Sequence, residues 1–434
     1  MKPSPTAIYN TLLLALLFTL QAHAQSGRMD TLYSKTLGET RTIRIYLPSS
    51  YSDAYFYPRR YPVAYLLDGD GLYNPVSSMV QLLSEARGPV DFPDLIIVAI
   101  YNTDRNRDLT PTRPAHDPRM DSASLSHTGG GERFLSFIGN ELMPHIDSFY
   151  RTAPYKIFMG HSLGGLTVIN AFLHYTSMFN AYIATDPTMM WDEQKLLHQA
   201  KDMLRENKFA GKTLYLAIAN NLPPGTDTTT VMSDTSHELF SLHVRSIFSL
   251  RNAIRTAFPG TPDKFIPFTG QLPVAEKLPA PGPSLLRWSW KFYPDCDHGA
   301  LPLPAFYDGL RYTFRYYPVY FPFPELFQPS WTADTLITTH YKIISRQMGY
   351  KVSPPEPLIN SIGYQLMGSH QFDRAAYYFM MNVENYPKSA NVYDSMGDLL
   401  AAMQQKDTAI KCYQQALLLH ESAETREKME KLKR

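Results

Sequence analysis

Charge of one sign, cysteine and long apolar runs are all scarce in this chain. Its 434 residues carry a formal net charge of only +1, with no basic stripe, so electrostatic capture of nucleic acid is excluded as its business. Two cysteines, Cys296 and Cys412, rule out a small disulfide framework and read as two separate thiols in different parts of the molecule. Beyond the N-terminus no segment is long and apolar enough to span a membrane. The one apolar run, Leu12 to Leu20, follows Lys2 and precedes Ala22-His23-Ala24, a small-x-small cleavage pattern before Gln25. Residues 1–24 therefore read as an export signal, giving a periplasmic or secreted chain with no transmembrane anchor once mature. No cysteine stands at the cleavage point to carry a lipid.

What is present is a mixed pattern. Thr40 to Leu47 alternates polar with apolar, as an edge strand does. Tyr61–Leu67, Leu95–Tyr101, Tyr155–Met159, Ala181–Thr185, Thr213–Ala219 and Leu286–Tyr293 are near-continuous apolar runs. Helical stretches such as Glu132–Phe149 and Leu239–Ala257 separate most of them. Buried strands alternating with helices predict an α/β fold with a mostly parallel central sheet covered on both faces. Prolines at 318, 322, 324 and 329, then at 354, 355 and 357, interrupt that pattern and mark a boundary zone. The expected division is a signal at 1–24, an α/β domain at 25–325, a Pro-rich linker with a helix at 326–355, and a small all-α module at 356–434.

That last module contains a repeat. Gly363 and Gly397, Leu366 and Leu400, Ala375 and Ala409, and Phe379 and Tyr413 all recur at a spacing of 34. Small and aromatic positions at this period resemble tetratricopeptide repeats, in which paired helices cross closely. Ile359 stands where the second unit has the aromatic Tyr393, and Glu421 stands where proline would close the second unit. Two units are fewer than a free-standing array needs, so the module is expected to lean on the helix around Leu336–Met348 or on the α/β domain. It could recruit a protein partner or be a plain helical bundle.

The chemistry concentrates at Gly160-His161-Ser162-Leu163-Gly164-Gly165, between an apolar strand and an apolar helix. This is the pattern of a nucleophile elbow, in which a sharp strand-to-helix turn lifts a serine hydroxyl above the sheet edge. Gly160 and Gly164 keep the turn tight, and the backbone N–H of Leu163 can face an oxyanion. The matching base should leave the end of the last strand. His298, in Asp295-Cys296-Asp297-His298-Gly299, does so, whereas His161 is adjacent to the serine in the turn and is not suited. An Asp-Cys-Asp-His metal site would lack a second pair of ligands, and no metal or cofactor is expected.

The acid should follow the Thr213–Ala219 strand. That strand ends in the amides Asn220 and Asn221, so the expectation moves to Asp234, with Asp227 and Glu238 as alternatives and a Ser–His dyad also open. Asp234 could equally cap the next helix. A second oxyanion donor is expected from the Asp70 N–H in Asp68-Gly69-Asp70-Gly71, a loop too short of ligands for calcium. Trp191 could line an acyl or aryl pocket or belong to the core. Arg107 could meet an anionic substrate group or serve an ion pair.

Taken together, Tyr65-Leu66-Leu67-Asp68-Gly69, Arg107-Asp108-Leu109-Thr110-Pro111-Thr112, the elbow, Asp297-His298-Gly299 and Glu141-Leu142-Met143-Pro144-His145-Ile146-Asp147 resemble the esterase family that includes enterochelin esterases, feruloyl esterases and mycolyltransferases. The likeness spans roughly residues 30 to 320. It implies an α/β-hydrolase, with Ser162 as nucleophile and His298 as base, acting on siderophore or carbohydrate-linked esters. Thr185-Asp186-Pro187-Thr188-Met189-Met190-Trp191 departs from relatives that tend to have Ser-Pro-Ser and two tryptophans, which leaves the pocket undefined. The alternatives are acyl transfer, or a catalytically weak hydrolase-like shell whose repeats dock a partner.

Overall fold

The computed structural model describes residues 27–53, 56–85, 91–206, 208–222, 225–236, 238–259, 286–318 and 332–434. The expected export signal and the prolines at 322–329 lie outside these residues. None of the described helices is long and apolar enough to cross a membrane.

Eight strands form one sheet in the order β1-β2-β4-β3-β5-β6-β7-β8. β1 (Arg28–Ser34) and β2 (Glu39–Tyr46) make an antiparallel hairpin, and β2 lies antiparallel to β4 (Ile96–Ile100). From there β4, β3 (Tyr61–Leu66), β5 (Thr152–His161), β6 (Ala181–Thr185), β7 (Thr213–Ala219) and β8 (Arg287–Tyr293) run parallel. The antiparallel hairpin keeps its alternation because it borders solvent, while β3, β4, β6 and β7 are buried at every position. A strand buried on both faces has no polar side to present, hence the continuous apolar runs. The α/β-hydrolase architecture expected from the sequence is the one observed, with a helical C-terminal region beyond it.

Register places the chemistry. Gly160 pairs with Ala184 and His161 with Thr185, so β5 and β6 end level and Ser162 and Asp186 leave side by side. Thr185 pairs with Ala217, and Ala219 with Tyr293, so Asn220 and Pro294 leave the same edge. Parallel strands deliver all their C-terminal turns to one rim, where α/β proteins put their ligands.

The C-terminal helices span Thr332–Met348, Glu356–Gly368, Phe372–Asn385, Ala390–Ala402, Lys406–Leu419 and Ala423–Lys433. Two close crossings recur at the 34-residue spacing. A Cβ on Gly363 would come within 2.6 Å of the Phe379 ring, and one on Gly397 within 2.5 Å of the Tyr413 ring. These helices share a core with the sheet: Ile337, Tyr341, Ile344, Ile359 and Ile362 pack in one cluster with Tyr155, Ile157, Tyr215, Leu310 and Phe314. A buried carboxylate reinforces the junction. Glu356 accepts hydrogen bonds from the Tyr57 N–H (3.1 Å), Ser389 Oγ (2.6 Å) and Asn391 Nδ2 (3.0 Å). Cys296 and Cys412 are both free thiols.

Candidate active site

Ser162 has φ +60° and ψ −118°, a conformation non-glycine residues rarely adopt, at a cost of about 1–3 kcal/mol. Three backbone bonds hold it there. Its N–H donates to Thr185 O (3.0 Å), and its carbonyl accepts from Leu166 N (2.9 Å) and Thr188 N (3.2 Å). Glycine is required on both sides of the turn. A Cβ on Gly160 would sit 2.4 Å from Gly164 O, and a Cβ on Gly165 would sit 2.8 Å from Thr185 O. The helix that follows, Leu163–His174, begins directly at the serine, so the Leu163 N–H is one of the first-turn donors with no intrahelical acceptor.

The turn after β3 lies against this helix start, since a Cβ on Gly164 would be 3.2 Å from Asp68 Oδ2. Asp68 has φ +54°, and a helix begins at Gly69. The Asp70 N–H is therefore also a first-turn donor beside the elbow. Asp68 itself is clamped by Arg105 (Nε to Oδ1 2.6 Å, Nη2 to Oδ2 3.0 Å) and by Asn102 Nδ2 (2.9 Å).

His298 follows β8, and its ring centroid lies 4.4 Å from that of His161, the residue before Ser162. The base candidate thus comes to the end of the elbow strand. Its Nδ1–H donates to Asp186 Oδ2 at 2.6 Å. The carboxylate that meets His298 is therefore Asp186, directly after β6, and not Asp234. Asp186 is fully buried at φ +42°, a bend that turns its side chain along the rim. Oδ1 accepts from Ala219 N (3.0 Å), and Oδ2 also accepts from His243 Nε2 (3.0 Å) and Asn221 Nδ2 (3.0 Å). Burial alone would push this carboxyl up. The hydrogen bonds from His243 and His298 outweigh it and hold the group well below the usual carboxylate range. Asn221 also accepts from the His298 N–H at 2.9 Å, so the amide after β7 ties acid and base together.

The three carboxylates expected after β7 serve local turns instead. Asp234 accepts from Ser236 N and Oγ, both 2.7 Å, with Arg245 3.6 Å away. Asp227 caps Thr228–Ser233 through Thr229 N and Thr230 N, and Glu238 caps Leu239–Ala257 through Phe240 N and Ser241 N. The available clue was an aspartate at the buried end of the strand next to the elbow strand, followed by proline to sharpen the turn.

Two residues left open in the sequence fall on the structural side. Arg107 is occupied on every side, with Nη1 and Nη2 on Glu39 (3.0 and 2.6 Å) and Nε on Asp108 (2.7 Å). It braces Glu39, Arg41 and Asp108 and does not face an open site. Trp191 is buried and donates Nε1–H to Thr112 O at 3.0 Å, pinning the 112 loop to the core. Thr188 is the residue from this segment that reaches the serine, with Oγ1 3.4 Å from Ser162 Oγ.

His161 shows what burial does to an imidazole here. Desolvation, then the neighbouring His298, lower its proton affinity from the ordinary 6.5 to about 4. Asp186, His243 and His298 bring ligand atoms within 4.8 Å of one another, near enough to surround a metal ion. Both ring nitrogens already share Asp186 Oδ2 at hydrogen-bond distance, which needs a proton on each. A metal would displace both and take the ring of His298 out of proton transfer. A groove of about 830 Å³ lies elsewhere, between the helices Thr332–Met348 and Phe372–Asn385, and contains none of these groups.

The fold and this rim are those of an α/β-hydrolase, and the likenesses are to esterases. The model of the family described as "Putative esterase" matches residues 34–243. Ferri-bacillibactin esterase BesA of Bacillus subtilis is 28% identical over 172 residues, 37% of this chain and 60% of that protein. Siderophore enterobactin esterase of Emericella nidulans is 28% identical over 155 residues, 32% of this chain and 49% of that protein. The chain thus spans about half to three fifths of the length of these curated relatives. Among solved structures, an IroE-like serine hydrolase from Shewanella oneidensis superimposes with a TM-score of 0.64 at 27% identity, covering 83% of this chain and 99% of that one.

Proposed function

We propose that this chain is a serine carboxylic-ester hydrolase that works through an acyl-enzyme, with Ser162 as nucleophile, His298 as general base and Asp186 as the orienting acid. The observation that carries it is the 2.6 Å bond from His298 Nδ1 to Asp186, on a ring that packs beside His161, the residue before the elbow serine. That bond fixes the tautomer, leaving Nε2 free to accept a proton. Ser162 Oγ attacks the ester carbonyl as its proton passes to His298 Nε2. The carbonyl oxygen becomes an oxyanion facing the N–H groups of Leu163 and Asp70. The C–O bond then breaks, and the imidazolium returns its proton to the departing alkoxide. Water repeats the sequence on the acyl-enzyme and releases the acid.

The names of the relatives favour siderophore esters as the substrate class, and the segment 1–24 favours export. The two Gly–aromatic crossings favour reading the C-terminal helices as tetratricopeptide-like. A fluorophosphonate probe tests the core of the proposal. Wild type should label and Ser162→Ala should not; equal labelling of both would remove Ser162 as nucleophile. A panel of short-acyl, aryl and catecholate esters then ranks the substrate classes.

A further inference from the structure

Asp186 Oδ2 receives three donors, and one of them belongs to a residue that the hydrolytic sequence above does not use. His243, near the start of the helix Leu239–Ala257, reaches the same oxygen as His298, at 3.0 Å against 2.6 Å. The two rings stand nearly perpendicular with centroids 5.6 Å apart. His243 is buried, and among the described residues its Nδ1 has no hydrogen-bond partner. A carboxylate only accepts, so the proton must sit on Nε2. The ring's one hydrogen bond therefore goes to the acid.

We propose that His243 is a positioning residue for the Ser162–His298–Asp186 machinery: it holds the acid's carboxylate in the plane of His298 and draws off part of its charge. The inference rests on the assignment of those three residues. Two physical points support it. Asp186 leaves its strand in a left-handed bend, and donors at both oxygens hold its carboxylate in orientation. Ala219 N holds Oδ1, while His243 and Asn221 hold Oδ2. In addition, donors compete for a shared oxygen. Taking one away makes the carboxylate a better acceptor for the His298 Nδ1–H and favours the imidazolium. The base must be neutral to begin turnover, so the acid limb of the rate profile then moves to higher pH. The titratable groups in contact with this arrangement are Asp186, His298 and His161, with Asp68 beyond the elbow.

The full chain is assayed on a p-nitrophenyl ester from pH 5 to 9 as wild type, His243→Phe, His243→Asn and His243→Gln. Gln can place an amide N–H near the position of Nε2, and Asn is too short to do so. Phe and Asn should lower kcat about 5- to 20-fold with KM little changed, and should move the acid limb up by about half a pH unit. Gln should return both readouts to within about twofold of wild type. A folded Phe or Asn variant with the wild-type profile overturns the inference, as does a Gln variant no better than Asn. If Phe does not fold, the Asn and Gln pair decides, and unfolding of all three assigns His243 to packing. Ser162→Ala separates the underlying assignment: full turnover by that variant refutes the triad itself, whereas an inactive Ser162→Ala beside a wild-type-like His243→Asn refutes only the role of His243.

Discussion

Replacing Asp186 by Asn tests the site most sharply, because the two side chains have the same shape and opposite hydrogen-bonding capacity. The carboxylate accepts four bonds, one at Oδ1 and three at Oδ2. An asparagine offers one oxygen and one NH2. If its oxygen faces Ala219 N, the NH2 is driven against three donors, and His298 must rotate or carry its proton on Nε2, where it can no longer act as base. If it flips, Ala219 N–H meets the NH2 and the negative charge that stabilises the imidazolium is still gone. Neutralising the acid of a Ser-His-Asp triad while keeping its geometry lowers kcat by about 10⁴. Asn221 continues to hold the His298 backbone here, so a loss of about 10³–10⁴ is expected, equal to about 4–5.5 kcal/mol of barrier. The assay is kcat and KM on a p-nitrophenyl ester alongside Asp234→Asn, which should stay within about twofold of wild type because Asp234 serves only its own turn. Asp186→Asn within threefold of wild type, or a large loss in Asp234→Asn, would refute the reasoning.

Two more outcomes follow from burial. Folded His161 takes its proton near 4 and the unfolded ring near 6.5, so its contribution to stability is fully present above 6.5 and is lost as pH falls through that window. Between pH 7 and 4.5 wild type should therefore lose about 2–3 kcal/mol more than His161→Gln, read as the difference in urea midpoints; equal losses would refute it. Deleting residues 356–434 removes the partners of Ile337 and Tyr341 and exposes apolar surface shared with the sheet. The loss of Ile359, Ile362, Leu366 and Phe379 alone amounts to about 6–12 kcal/mol, comparable with the whole stability of a domain. The truncated chain should fail to fold, which solubility and circular dichroism report, and a stable, fully active truncation would refute the shared core.

The α/β class was legible because β3, β4, β6 and β7 are buried on both faces and so read as unbroken apolar runs. The elbow was legible because its glycines answer steric demands within six residues: a Cβ at Gly160 has nowhere to go. Asp186 was not. It sits among ordinary turn residues, and what selects it is register: β6 ends level with β5, and the aspartate bends along the rim toward the ends of β7 and β8. Spacing along one strand cannot report alignment between two. Arg107 and Trp191 stayed open between a substrate contact and a structural role for a related reason. Both follow strand ends that lead to the active rim, yet each turns inward to partners 68 and 79 residues away in sequence, Glu39 and Thr112.

An acid on β6 also changes the role of the connection that follows β7. In residues 220–238 the described carboxylates satisfy backbone N–H groups of their own turns and helix starts. The segment's contribution to the rim is Asn221, which donates to Asp186 and accepts from the backbone of His298. An amide suits that place better than a carboxylate would. A charged acceptor there could not donate to Asp186, and two carboxylates sharing one buried site would push each other toward protonation. The amides that made the β7 turn look deficient in sequence are thus the counterpart of the aspartate next door: once β6 supplies the charge, the neighbouring strand end needs a group that can both give and take a hydrogen bond.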